Sequence, residues 1–300
     1  MKHFQNIKPL YKGIVLIILS AFFFALMNMF VQLSGDVPFI QKSFFRNIVA
    51  FFFSGILLVK EKQKIHIPKK AILPLFLRAF FGTSGVLCNF YALGKLDLAD
   101  ASILNKMSPF FAILFSIFLL KEKIRPVQFL IVMGAFLGAM CVVKPSFTNT
   151  AVFPALIGLC GGMFAGLAYT FVRMLGKHGV KGAVIVCAFS GFSCLAVLPV
   201  ILLDFHPMSA FQLLMLICAG LSASGGQFTI TYAYCYAPAK DVSIYDYSQI
   251  IFAAMLGFLV FGQIPDWLSW TGYIIIFSMA FVMFIYNRHQ SQNVIGKSAE

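Results

Sequence analysis

Ten apolar segments, each about 20 residues long and separated by short polar breaks, dominate this sequence of 300 residues. A helix of that length crosses the hydrocarbon core of a bilayer, which is about 30 Å thick. Hydrophobic residues make up 60% of the chain and charged residues 11%, whereas soluble domains are about a quarter charged, so a soluble globule is excluded. The sequence predicts an all-α integral membrane protein with spans at 13–33, 38–59, 71–94, 101–120, 127–143, 153–174, 183–203, 211–234, 242–262 and 268–286.

One stretch in the third and fourth spans occurs twice. Residues 85–112, GVLCNFYALGKLDLADASILNKMSPFFA, align without a gap on residues 226–253, GQFTITYAYCYAPAKDVSIYDYSQIIFA. Eight of the 28 aligned positions are identical, which indicates a duplicated unit. We therefore predict two five-helix repeats, at 13–145 and 153–286, preceded by a cytoplasmic segment at 1–12 and followed by a frayed cytoplasmic tail at 287–300.

The distribution of Lys and Arg predicts the orientation of the repeats. If the N-terminus is cytoplasmic, 17 of these residues fall in cytoplasmic segments and five at most on the outer side, so the positive-inside rule puts both termini in the cytoplasm. The alignment lays the third and fourth spans on the eighth and ninth, so each span corresponds to the span five positions later in the order of spans. Because five is odd, the second copy enters the membrane with opposite polarity, as in carriers built from inverted-topology repeats.

Composition and motifs exclude several classes of function. The net charge of +13 comes from short loops between apolar runs, which indicates orientation in a bilayer and no nucleic-acid partner. The seven cysteines lie in apolar spans without CxxC spacing, and the five histidines lie in loops or tails, so no metal or cofactor is expected. HExxH, GxGxxG, GxSxG and P-loop motifs are absent, and we expect no enzymatic activity.

Three stretches resemble a known family: FFRNIVA at 44–50, NFYALGKLDLADASILNKMSPFFAILFSIFLLKEK at 89–123 and YAYCYAPAKDVSIYDYSQIIFAAMLGFLVFGQ at 232–263. With them, residues 13–286 resemble the ten-helix, EamA-type members of the drug/metabolite transporter superfamily. The resemblance implies a carrier of small metabolites or drugs. It also implies a central cavity lined by every helix except the fifth and tenth. Glu122 matches the family's acidic residue at the end of the fourth helix, and Gln263 stands at the equivalent position of the second copy.

Arg46 is the first of the polar residues predicted to bind substrate. It lies about eight residues, or about 12 Å, into the second span. A charged residue at that depth is costly in a membrane and marks a functional site by default. The alternative is a structural Arg that binds the carbonyl groups of neighbouring helix ends.

Lys106 and Asn105 lie in the fourth span. Lys106 is a second candidate for substrate contact, unless it snorkels to the outer headgroups. Pro109 has no N–H to donate to the carbonyl of Asn105, so the helix is expected to kink there and leave that oxygen free. The free oxygen could bind a ligand, or the kink could serve only helix packing.

Asp246 aligns with Asn105 in the second copy, and symmetry predicts a position near the cytoplasmic mouth. It is the carboxylate most plausibly inside a span, and we predict a role in proton coupling. A solvated Asp at a helix N-terminus is an equally weighted alternative.

The remaining candidates are uncharged. Tyr91 and Tyr232 occupy aligned positions of the two copies and are identical, so both are candidates for substrate binding. The other tyrosines are explained by the aromatic belts at the membrane interfaces. Asn28, Asn89, Gln227 and Gln249 bind either the ligand or a neighbouring helix. The glycines that recur every fourth residue at 134–138 and 158–166 indicate close helix packing, within one chain or in a homodimer.

These residues together predict a secondary, alternating-access transporter of a small polar metabolite, an amino acid or a related organic anion or zwitterion. We expect the protein to export or exchange its substrate. The expected location is a bacterial inner membrane or a plasma membrane. A broad exporter of hydrophobic drugs is the alternative within transport, because the chain holds 36 Phe and 13 Met. A non-transporting receptor or membrane enzyme is the alternative from another class, although no catalytic group is evident.

Overall fold

A computed structural model describes residues 9–60, 67–93, 95, 104–143, 152–262 and 264–297, and all its regular elements there are helices. A one-turn helix, Ala239–Val242, and a 3₁₀ turn, Ser243–Tyr247, precede the ninth long helix. The predicted all-α membrane fold is confirmed, and most span boundaries agree within a few residues. The helices are α1 Pro9–Leu33, α2 Phe39–Lys60, α3 Lys69–Leu93, α4 Ser108–Leu120, α5 Pro126–Val143, α6 Val152–Lys177, α7 Gly182–Leu203, α8 Ala210–Tyr236, α9 Ser248–Phe261 and α10 Trp267–Lys297.

The surface of the bundle is apolar in the way a bilayer requires. Nine helical segments in the described ranges are long and apolar enough to cross a membrane, with Ala239–Phe261 taken as one segment. Large hydrophobic side chains point outward along them, such as Val59, Phe118 and Leu203, which are 78%, 70% and 90% exposed. In water such a surface would aggregate, so it is the lipid-facing surface of a membrane protein.

The fourth predicted span is broken. Leu104 and Asn105 are helical, a turn follows at Lys106 and Met107, and α4 then runs for only 13 residues. That length is about 20 Å, less than the thickness of the hydrocarbon core. The predicted kink is therefore wrong: Pro109 lies in the first turn of a new helix, where its missing N–H is not needed.

The ninth span breaks at the aligned place. The 3₁₀ turn Ser243–Tyr247 interrupts it, and α9 begins at Ser248, which aligns with Met107. Both repeats thus carry a half-length helix that starts inside the bundle. Residues 239–261 together have the length and hydropathy of one continuous span, and the polar residues at the break equally indicate a binding site, so the sequence does not reveal the interruption.

Helix pairs between the two repeats follow a symmetric pattern. α1 packs on α8 and α3 on α6, while α2 packs on α7 and α5 on α10. If each helix is exchanged for its counterpart in the other repeat, the α1–α8 pair becomes the α6–α3 pair. The α2–α7 and α5–α10 pairs are unchanged by this exchange. The duplication in the sequence is therefore also present in the packing.

Glycines bring these helices into close contact within one chain. A Cβ on Gly138 would lie 3.0 Å from the carbonyl oxygen of Gly272, so the fifth and tenth helices touch at their backbones. A Cβ on Gly166 would lie 2.6 Å from the backbone nitrogen of Ala112, in α4. Packing inside the protomer, one of the two readings of these glycines, is what the structure shows.

We expect Gly166→Ala to lower the melting temperature of the detergent-solubilised protein, because the new methyl group would meet the rigid backbone of α4. Gly55→Ala is the matched control. It lies in the middle of α2 with open space around a Cβ, and alanine favours a helix by up to about 1 kcal/mol. If both variants melt above the wild type, the close contact of α4 with α6 is wrong.

The predicted frayed tail is wrong for residues 287–297, where α10 continues as far as Lys297. Extending an existing helix adds a hydrogen bond for each residue that is fixed, so it is easier than starting one. Asn287 is also anchored: it is 5% exposed, and its Nδ2 donates to the backbone oxygen of Asp241 at 3.4 Å.

Candidate functional site

Polar side chains from both repeats meet where the fourth and ninth spans break. Lys106 Nζ lies 3.2 Å from Asp246 Oδ2 and donates to Gln249 Oε1 at 2.7 Å. Tyr247 donates its hydroxyl to the backbone oxygen of Lys106 at 3.0 Å. We call Lys106, Asp246, Tyr247 and Gln249 the inter-repeat cluster. It is buried, with Lys106 at 9% and Asp246 at 7% exposure.

This arrangement corrects two predicted positions. Lys106 was expected near the outer surface and Asp246 near the cytoplasmic mouth, yet they form an ion pair. The depth of each was counted along an unbroken span, and neither span is a continuous helix. Lys106 thus does not snorkel to the headgroups, and its charge is balanced by Asp246.

A second polar group lies on α2 and α3, where Arg46 and Arg78 form what we call the guanidinium pair. Arg78 is 2% exposed, and its guanidinium carbon lies 4.3 Å from the centroid of the Phe189 ring. Its Nη2 donates to Gln227 Oε1 at 3.3 Å. Gln227, a predicted site residue, thus binds a neighbouring helix. The Nε of Arg78 is buried without a hydrogen-bond partner in the described part of the chain.

Arg46 makes similar contacts, although its side chain as a whole is only half-buried. Its guanidinium carbon lies 5.9 Å from the centroid of Phe24, and its Nε is also buried and unpartnered among the residues that the structure describes. The Phe24 ring occupies the space beside Gly226, which precedes the Gln227 that holds Arg78. Both guanidinium groups therefore approach the same turn of α8.

Tyr169 connects the guanidinium pair to the inter-repeat cluster. Its hydroxyl lies within electrostatic range of Arg46, Arg78 and Asp246. The ring stacks on Tyr234 with centroids 4.9 Å apart and planes 12° apart.

The predicted tyrosine pair lies elsewhere. Tyr91 is half-buried in the last turn of α3, about 20 Å along the helix from Arg78. The ring of Tyr232 packs on Gly182, the first residue of α7, and stacks on Tyr236. Preserved identity in a duplication selected these residues, but it does not report which tyrosines face the interior.

The other uncharged candidates divide between surface and interior. Asn28 is exposed on α1 and lies outside the polar interior. Asn105 and Asn89 are half-buried, at the helix break and on the face of α3 that meets Gly161. Gln249 belongs to the inter-repeat cluster.

Sequence reasoning missed Arg78 as a site residue, although the signal was present. A charged residue in the middle of a span is a functional candidate by default, and Arg78 lies ten residues into α3. Tyr169 had no such signal, because an aromatic residue in an apolar helix is unremarkable.

A third charged cluster lies just after the C-terminal end of α4. Glu122 Oε1 lies 2.9 Å from Lys177 Nζ and 3.4 Å from Arg173 Nε, both on α6. Arg173 also donates to the backbone oxygen of Cys235 on α8 at 2.9 Å. The acidic residue that the family resemblance singled out thus joins the first repeat to two helices of the second. Gln263, its counterpart, lies outside the described residues.

The buried groups define the chemistry that the interior offers. The described ranges hold no set of three His, Cys, Asp or Glu side chains that could bind a metal ion. Besides the Glu122 cluster, the described residues provide the ion pair of Lys106 with Asp246 and two guanidinium groups whose Nε atoms are buried without partners. A planar guanidinium fork matches carboxylate and phosphate groups.

A ten-helix membrane bundle with a duplicated half and a charged interior has the architecture of a small-molecule carrier. The model of the EamA-like transporter family matches residues 11–144 and again 153–285. The chain belongs to this family, and it is a multi-pass membrane transporter with two EamA units.

Relatives with similar sequences are transporters by name. The chain is 32% identical over 268 residues to a pseudopaline exporter of Pseudomonas aeruginosa, covering 88% of this chain and 93% of the relative. It is 28% identical over 284 residues to human solute carrier family 35 member G1, covering 86% and 74%. It is also 28% identical over 216 residues to a riboflavin transporter of Vibrio cholerae, covering 69% and 70%.

A solved crystal structure supports the same fold. It superposes with a TM-score of 0.81 over 93% of this chain and 98% of the other, at 14% sequence identity. At that identity, the similarity establishes the fold alone.

Proposed function

We propose that the protein is a secondary, alternating-access carrier that exports or exchanges a small organic anion or zwitterion, such as an amino acid. The observation that carries this proposal is the guanidinium pair, whose Nε donors are buried without protein partners in the described ranges. Burying an unsatisfied charged donor costs several kcal/mol, and an anionic substrate would satisfy both groups.

The charge balance of the interior supports an anion over a cation. Lys106 and Asp246 neutralise each other, so the guanidinium pair leaves an excess of positive charge beside Tyr169. A cationic drug entering this space would be repelled. The numerous Phe residues favour a hydrophobic-drug exporter less than their count implied, because many of them face the lipid, such as Phe52 at 62% and Phe277 at 68% exposure.

Opposite polarity of the two repeats is the basis of the proposed alternating access. The symmetric pairing of α1 with α8 and α3 with α6 supports two equivalent packings, one open to each side. Export agrees with the printed name of the pseudopaline exporter. The proposed location is a bacterial inner membrane with both termini in the cytoplasm.

The proposed topology predicts that a reporter fused after Arg288 behaves as cytoplasmic. Alkaline phosphatase at this position should be inactive, and green fluorescent protein fluorescent, because 17 Lys and Arg residues lie on that side. An active phosphatase fusion would reverse the orientation.

Asp246 is the proposed site of proton coupling. Protonation would remove the negative charge that holds Lys106 and would release the contact between the two repeats. The cycle would then couple one proton to one change in packing.

A thermal-shift screen tests the proposed substrate class. Amino acids, organic acids, nucleosides and quaternary amines are added to the purified protein, and a ligand that binds the native state raises its melting temperature by mass action. We expect shifts with organic acids or amino acids. Shifts with quaternary amines alone would contradict the proposal.

A further inference from the structure

We infer that the guanidinium pair binds a dianion, so that the transported substrate carries two negative charges in the interior, one for each of Arg46 and Arg78. The inference rests on the proposed anion carrier and adds Arg78 as a second substrate-binding residue. A dicarboxylate and a phosphate monoester share this chemistry.

The first step of the argument is the environment of Arg78. It is 2% exposed and stacked on Phe189, in the middle of a transmembrane helix. The neutral amide oxygen of Gln227 is its hydrogen-bond acceptor. An amide oxygen accepts a hydrogen bond but carries no negative charge, so Arg78 has no ion-pair partner among the described residues.

The second step is that the nearby carboxylate is already used. Asp246 Oδ2 lies 3.2 Å from Lys106 Nζ. If Asp246 served the guanidinium pair instead, Lys106 would be left buried without its partner. The Lys106–Asp246 ion pair is neutral, so the four residues together carry a net charge of +2 in the described interior.

The third step is the distinction between one and two anionic charges. Arg46 lies over Phe24, whose ring packs beside Gly226, and the next residue, Gln227, binds Arg78, so the two like charges share one region of the interior. A monoanion would neutralise one and leave the other buried. A dianion neutralises both, and each guanidinium contributes an unpaired Nε donor to it.

The test compares dianions with monoanions of the same shape. Thermal shift and isothermal titration of the purified protein at pH 7.5 use malonate, succinate, glutarate and adipate, each beside its half-amide. A second arm uses glycerol 3-phosphate beside its methyl phosphodiester. We expect one dianion to bind about 10- to 100-fold more tightly than its matched monoanion, the value of a charge-assisted hydrogen bond. The arm that responds identifies dicarboxylate or phosphate.

Arg78→Gln should abolish this preference, so that the dianion binds no more tightly than its matched monoanion. Arg78→Lys keeps the charge and should retain the preference with weaker binding, which covers the case in which the Gln variant does not fold. Arg288→Gln removes an exposed cation on α10 and should behave as the wild type.

Equal binding of dianion and monoanion to the wild type would overturn the inference and leave the anion carrier intact. A dianion preference that persists in Arg78→Gln would also overturn it. If no anion or zwitterion binds at all, the proposed function itself fails.

Discussion

Asp246→Asn is expected to lower the free energy of unfolding by about 3–5 kcal/mol, because it leaves Lys106 buried without its counter-charge. Thermal melting in detergent gives the readout as a large drop in melting temperature. In proteoliposomes, a pH gradient should no longer drive accumulation. Exchange of labelled for unlabelled substrate needs no proton and should persist in the fraction that remains folded.

The double variant Lys106→Met with Asp246→Asn is the matched control. It removes both charges, so much of the lost stability should return, while coupling to the pH gradient stays lost. Asp204→Asn is a second control, because this acid is exposed after α7. If the double variant is as unstable as the sum of the single variants, the ion pair is not the source of the effect. If it still accumulates substrate on a pH gradient, Asp246 is not the coupling group.

Arg46→Gln is expected to reduce transport of the identified substrate about 100-fold, mostly through a higher KM. Gln retains the polar shape of the side chain but has neither the charge nor the planar fork. Arg46→Lys should recover only part of the loss, since an ammonium group binds a carboxylate as a point charge. The measurement is the concentration dependence of exchange in proteoliposomes with equal amounts of inserted protein.

Arg125→Gln is the control for this experiment. Its side chain is exposed in the loop before α5, so its loss should leave KM unchanged. Near-normal apparent affinity in Arg46→Gln would show that Arg46 is a packing residue over Phe24.

The sequence predicted the fold more completely than the site. Most helices appear as apolar runs of about the correct length, because a bilayer requires this of a span, whereas α4 and α9 are shorter and α10 is longer than predicted. The duplication was detectable because the aligned segments share Gly, Tyr and Asp residues. Close packing of α5 followed from Gly134 and Gly138, since only small residues allow backbones to approach so closely, but only the structure shows that its partner is α10.

The site was harder to predict because its geometry depends on two helix breaks. Lys106 and Asp246 are separated by 140 positions in the chain and were expected at opposite ends of the cavity. Polar residues mark both breaks, at 105–106 and 245–249, but polar residues inside a span equally indicate a binding site in a continuous helix. Pro109 was a partial signal, since proline is favoured in the first turn of a helix, but it was interpreted as a kink.

Arg78 and Tyr169 show two different limits. Arg78 could have been found, because intramembrane charge is rare and costly. Tyr169 could not, since its stacking partner Tyr234 lies on α8, and the sequence does not show that α6 and α8 meet there. Periodicity assigns a residue to a helix face, but it does not show which faces meet.

Counterflow in proteoliposomes tests the central claim most directly. Vesicles containing the purified wild-type protein are loaded with an unlabelled organic acid or amino acid that shifts the melting temperature, and then diluted into the same labelled compound. We expect transient accumulation of label above equilibrium, which requires a carrier that binds the anion on alternate sides of the membrane. The absence of accumulation for every anion and zwitterion that binds, or accumulation of an organic cation in its place, would contradict a carrier built around Arg46 and Arg78.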